Sequence, residues 1–235
     1  PTHHVELAVW EGKYGCAVKS FLSAGSVLVH GNELLGAALA DYDKEKQWGQ
    51  SHHTIDNIVT ALEGVFPLPK ARREVAFQMI GYLLFDALVG NTDRHHQNWG
   101  VVLHRQVKEN QPLAFSLQLA PTFDHASSLG RELLDTAREQ HLQQNSIRRY
   151  LERAKGGIFG DNHSRYGLSP IATARFLAAR YPDFFKPWQA RISNLSMNEL
   201  AAIVARIPDQ RISMAGRNFA MTLLSESQKL ITEIL

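Results

Sequence analysis

The chain has 235 residues, 44% of them hydrophobic and 20% charged, the make-up of an ordinary globular protein able to bury a sizeable core. Its formal net charge of +2 lacks the strong basic excess that bulk nucleic-acid binding requires, so no direct nucleic-acid binding is expected. Cys16 is the single cysteine, so no internal disulfide can form. With no secretory segment at the start, this favours a cytoplasmic setting. No apolar run approaches the roughly 18 residues of a membrane helix, and no membrane partner is expected.

In chain order, residues 4–10 and 14–21 read as two strands around a Glu11-Gly12-Lys13 turn. Ser23 to Gly31 reads as a loop, Glu33–Ala40 as a short helix and Asp41–Gln50 as an exposed polar loop. A helix over Thr54–Leu62 takes either Thr54 or Ser51 as its cap. Pro67 and Pro69 break the chain before the most apolar long segment, Lys70–Val89, where Ala76, Met79, Ile80, Leu83, Leu84 and Ala87 recur at helical spacing. Phe77, Tyr82 and Phe85 fill the gaps, and a helix apolar nearly all round is a central one. Gly90 ends it, and Asn91–Asn98 is a polar loop. Trp99–His104 and Leu113–Leu119 form a hairpin turning over Val107–Pro112, and helices follow near 131–142, 145–154, 169–180, 196–206 and 214–234. Strands first and then mostly helices is an α+β order.

The chemistry concentrates in two strings: Gly90-Asn-Thr-Asp93-Arg-His-His-Gln-Asn98-Trp-Gly100, and Leu119-Ala-Pro-Thr-Phe-Asp124 after the hairpin. Phosphoryl transfer needs such a set: one carboxylate to position and deprotonate the attacking hydroxyl, an amide oxygen and a second carboxylate to hold Mg²⁺ against the phosphates. Magnesium prefers oxygen ligands and keeps several waters, so one Asn and one Asp suffice. The Asp-x-x-x-x-Asn spacing matches the catalytic loop of protein kinases. Singly, these residues read as turn formers or helix caps; in this order and setting the catalytic reading is preferred.

Asn91-Thr92-Asp93-Arg94-His95-His96-Gln97-Asn98-Trp99 followed by Leu119-Ala-Pro-Thr-Phe-Asp124 resembles the signature of HipA-like serine/threonine kinases, whose best-known members are bacterial persistence toxins. The match is densest from Val75 to Leu134, and Lys19-Ser20-Phe21 with Leu28-Val29-His30-Gly31-Asn32 is similar to the family's hinge. The resemblance implies a protein-kinase-like fold: a large helical C-lobe over 23–235, with a β-hairpin at the hinge end (1–22) and a second hairpin at the catalytic site. It implies Asp93 as catalytic base, Asn98 and Asp124 as magnesium ligands, and main-chain groups of Lys19 and Phe21 facing the adenine of ATP. The implied acceptor is a protein Ser/Thr, with an antitoxin as a further partner.

The chain also departs from the pattern. His95 and Gln97 stand where many relatives of this kinase fold carry Lys, so a cation for the transferring phosphoryl is sought in Arg94, a histidine or elsewhere. No Gly follows Asp124. The ATP-binding lysine and the phosphate-covering loop would lie upstream of Pro1, so this chain reads as a fragment whose missing small lobe a second gene product could supply, and which by itself is inactive or nearly so. The Asp-Arg-His-x-x-Asn loop also occurs in phosphoinositide kinases, which keeps a lipid or small-molecule kinase as an alternative, beside a pseudokinase-type binding module.

Other residues have two readings each. Asp86 either orients the catalytic loop through Arg94, His95 or loop amides, or faces a solvent-filled groove. His95 is read as holding the loop in shape and His96 as exposed; adjacent histidine pairs make poor zinc sites. Ser127 or Ser128 either begins a substrate-facing segment or caps a helix starting near Arg131, the cap being preferred. Arg148, Arg149, Arg153 and Lys155 either meet an acidic partner or phosphate, or form a solvated helix face, the latter preferred. Phe184, Phe185 and Trp188 are assigned to packing.

Overall fold

The computed structural model describes residues 4–106 and 114–234. Among them, strands β1 (Val5–Trp10) and β2 (Lys13–Val18) pair antiparallel as a two-stranded sheet, with Glu11 and Gly12 at positive φ in the tight turn. The second strand stops at Val18, three residues short of the predicted end. Strand β3 (Ser26–His30) occupies the segment expected to be a loop. Its Val-Leu-Val run has too few residues to signal a strand alone, and pairing with a distant strand decides it.

Helix α1 (Gly31–Ala38) and helix α2 (Ile55–Val65) follow, the latter capped by Thr54, whose hydroxyl accepts from the Asn57 N–H at 3.2 Å. In the polar stretch 41–50 between them, all residues are exposed except Tyr42 and Gln50. Helix α3 (Pro69–Val89) starts with Pro at N1, where a missing N–H costs nothing, and ends at Gly90, whose left-handed φ of 66° suits glycine. Met79, Ile80, Leu83, Leu84 and Ala87 of α3 are each at most 2% exposed, which makes this helix the centre of the core.

Strands β4 (Gly100–Gln106) and β5 (Ala114–Leu119) join β3 in a three-stranded antiparallel sheet of order β3-β4-β5. The predicted turn over 107–112 lies outside the described residues. Helices α4 (Asp135–Gln143), α5 (Ile147–Arg153), α6 (Pro170–Arg180), α7 (Pro182–Ser193), α8 (Met197–Ala205) and α9 (Met214–Thr232) complete the chain. Helix α7 covers a stretch for which the sequence signals no helix, although Phe184, Phe185 and Trp188 are expected there to pack. Pro182 sits at N1, and Pro187 lies within the helix. Its Trp188 ring stacks on Phe77 at 5.0 Å and lies where a side chain on Gly81 would be, and its indole N–H donates to the Phe77 carbonyl at 2.8 Å. Fully buried Phe219 and Leu223 of α9 and Ile171 and Leu177 of α6 close the core around α3.

Candidate active site

The sheet register explains why two strings about two dozen residues apart meet. Gly100 pairs with His30, Val101 pairs with Leu119, and the Ala120 N–H donates to the Gly100 carbonyl at 2.9 Å. The chain leaving Asn98 and the chain approaching Asp124 therefore run side by side.

Asp86 and Arg94 hold the two loops. Both are 3% exposed. Arg94 Nε and Nη2 donate to the two Asp86 carboxylate oxygens at 2.7 Å each. Arg94 Nη1 donates to the Asn98 carbonyl and, at 2.9 Å, to the Phe123 carbonyl; Nη2 also reaches Thr122 Oγ1 at 3.1 Å. One guanidinium thus ties the end of α3 to both loops. Burial alone would raise the Asp86 carboxyl pKa, but Arg94 overrides it and holds the group below the usual carboxylate range. Asn91 Nδ2 donates to Asp86 at 2.8 Å, which Gly90 permits by reversing the chain. Of the two readings of Asp86, the solvent-filled groove is excluded. All five Arg94 N–H donors are engaged, so Arg94 is not the spare cation for a phosphoryl group.

Asp93 is half-buried beside this clamp. Its Oδ1 is buried with no hydrogen-bond partner, and His95 Nε2 lies 3.8 Å away. Burial raises the Asp93 pKa and the nearby Asp124 carboxylate raises it further, while His95, Arg94 and Ser127 pull it down. Asn98, 4% exposed, donates its Nδ2 to the Asp93 carbonyl at 2.7 Å, leaving its amide oxygen without a partner among the described residues. Asp124 is exposed, at a left-handed φ of 55°, with no ion pair among the described residues. An unbonded amide oxygen and an unpaired carboxylate on adjoining loops are the hard donors that fit Mg²⁺.

Neighbouring residues fix the loop from Asn91 to Asn98. His95 accepts the Gln97 N–H on Nδ1 at 3.2 Å, and burial lowers its pKa, which favours the neutral ring. His96 is 1% exposed, not exposed as expected: its Nδ1 meets the Tyr42 hydroxyl at 2.7 Å, and burial lowers its pKa to about 4. Gly31 and Asn32 N–H groups donate to the Trp99 and His96 carbonyls at 2.8 and 2.9 Å. His53, fully buried with its pKa lowered to about 3, joins the Gly157 carbonyl (2.7 Å) to the Trp99 indole N–H (3.0 Å).

After β2, in the segment expected to be the hinge, the Lys19 N–H donates to the His4 carbonyl at 3.0 Å, which commits it to the hairpin and leaves the carbonyl. Phe21 is placed by its ring, stacked on Phe123 with centroids 5.9 Å apart, next to Asp124. Neither Ser127 nor Ser128 caps a helix, because α4 begins four residues later than expected, at Asp135, with Leu134 as its N-cap. Sequence reading assigned no role to Thr122, His125 or His30. His30 Nδ1 lies 2.8 Å from the Gln97 carbonyl, and Thr122 Oγ1 lies 3.0 Å from His125 Nε2. Thr122 lies within the second motif string, His125 directly follows it, and His30 belongs to the Leu28–Asn32 block.

Among the described residues, no helix is long and apolar enough to cross a membrane. No family model matches the chain, and no curated protein does. Among solved structures, the chain is similar to the Helicobacter pylori proinflammatory kinase CtkA, with a TM-score of 0.76 at 20% sequence identity over 99% of this chain and 78% of that one. The chain is therefore an α+β protein with the fold of a kinase.

Proposed function

We propose that this chain carries the catalytic side of an ATP- and Mg²⁺-dependent phosphoryl-transfer enzyme acting on a Ser/Thr hydroxyl of a protein, of the HipA-like type. The observation that carries the reading is the Arg94 guanidinium bonded to the main chains of both Asn98 and Phe123, which sets the Asn98 amide and the Asp124 carboxylate on adjoining loops next to Asp93.

Asp93 is the base. Its unbonded, buried oxygen is free to accept the acceptor hydroxyl's hydrogen bond and then its proton. A raised pKa makes a carboxylate a stronger proton acceptor, and transfer falls as pH drops through that raised value. Asn98 Oδ1 and Asp124 would hold Mg²⁺, which when bound neutralises charge on the phosphates. Lys19 and Phe21 line the adenine end, the former through its carbonyl. Asp86, Arg94 and His95 act through the loops they position.

The test is a thermal-shift series with Mg-ATP, ADP and EDTA, together with transfer of labelled phosphate to protein, on the full-length protein. Asp93→Asn is expected to keep the nucleotide-induced shift and lose at least about 10³-fold in transfer. No shift and no transfer would favour a binding module, and parental transfer by Asp93→Asn would remove the base assignment.

A further inference from the structure

A cavity of about 510 Å³ has Thr92 and Ser127 in its lining together with Arg149, Arg153 and Lys155. Thr92 adjoins Asp93, its N–H donates to the Ser127 carbonyl at 3.4 Å, and Ser127 bears on the Asp93 carboxylate itself. The cavity therefore begins at the residues flanking the base.

Its charge is one-sided. Arg149 and Arg153 stand four residues apart on α5, one helical turn, so both face the same way. Both are exposed, and neither makes an ion pair with a described residue. Lys155 lies 3.5 Å over the Tyr166 ring and has no carboxylate partner there either. The one acidic wall residue, Glu132, accepts a hydrogen bond from the Tyr150 hydroxyl. Arg148, on the same short helix but outside the cavity, pairs with Glu152 and Glu233. The arginines of α5 thus divide: the one turned away is neutralised, and the two lining the cavity are not. Unpaired guanidiniums at a concave site are suited to bidentate recognition of carboxylate or phosphate.

We propose that this cavity recognises the acceptor: it takes an acidic peptide segment whose carboxylate or phosphate groups lie against Arg149, Arg153 and Lys155 while its hydroxyl residue reaches Asp93. The inference rests on the kinase reading of Asp93 and gives that reading a substrate class. The solvated-face alternative for these cations is set aside by their position on the wall of a cavity that starts at Thr92.

The test is peptide binding, read by fluorescence anisotropy without nucleotide, so that it does not depend on turnover. Fluorescein-labelled Ser-containing peptides of equal length carry flanking Glu, phosphoserine, Gln or Lys. The Glu or phosphoserine peptide is expected to bind at least about 10-fold more tightly than the Gln peptide, and to weaken as salt shortens the screening length. The comparison of Glu with phosphoserine identifies which anion fits. Arg149→Gln/Arg153→Gln, checked for an unchanged melting temperature, is expected to abolish the preference, while Arg148→Gln retains it. Equal binding of Gln and anionic peptides, or an undiminished preference in the double variant, overturns the proposal. Loss of phosphate transfer with acidic-peptide binding intact would instead count against the kinase reading.

Discussion

Asp86 and Arg94 form a two-bond ion pair, 2.7 Å in each arm, inside the protein, eight residues apart and on either side of the α3 terminus. The pair does more than balance charge. Through the remaining Arg94 donors it fixes the carbonyls of Asn98 and Phe123, and hence the spacing of the two loops.

Breaking this pair from one side leaves a buried charge without its counter-ion. Asp86→Asn is expected to destabilise the fold by about 3 kcal/mol, the range for one-sided loss of a buried pair. Transfer should fall with it, and nucleotide affinity should fall less. Urea unfolding and steady-state kinetics check both. An Asp86→Asn protein of parental stability and rate would show that the clamp is dispensable.

Gly31 packs its backbone against the end of the 91–98 loop, at His96 and Trp99. A methyl group there would lie 2.2 Å from the Trp99 ring and 2.6 Å from the His96 carbonyl. Gly31→Ala is expected to cost about 1–3 kcal/mol, as overpacking does. Because the loop must move, the rate of transfer should drop more than the change in nucleotide affinity. Chemical denaturation and a KM-against-kcat comparison separate the two effects.

His53 makes stability depend on pH. Its folded pKa of about 3 lies below the ordinary value of 6.5, so the unfolded chain binds a proton first as pH falls. The stability is intact above 6.5 and is lost as pH drops from there toward 3. From the unfolded value alone, the loss reaches about 2 kcal/mol by pH 5. Gln can still donate to Gly157 and accept from Trp99, so His53→Gln should flatten this slope. Unfolding curves between pH 7.5 and pH 5 measure it, with His96 contributing in the same direction.

The proposed Asp124 role predicts a metal-specific loss. Asp124→Asn should lower transfer at least about 10²-fold and raise the Mg²⁺ concentration needed for half-maximal rate. The thermal shift from nucleotide without Mg²⁺ should persist. A variant whose Mg²⁺ titration overlays the parent's would move the ligand elsewhere.

The sequence by itself determined the α+β order, the buried α3 and its Gly90 stop, and the two motif strings that mark the candidate site. These are local signals: 3.6-residue apolar spacing, a residue suited to positive φ, and oxygen-bearing side chains at fixed intervals. Strand β3 and helix α7 were beyond it, since one depends on pairing with a strand some 70 residues away and the other on Trp188 packing over Gly81 despite its prolines. The tertiary structure alone decided that Arg94 is a clamp with no donor to spare, that His96 is buried, and that Arg149 and Arg153 face a cavity while Arg148 is neutralised elsewhere. The partner of a charge is set by whichever distant segment packs against it, and linear spacing carries no record of that.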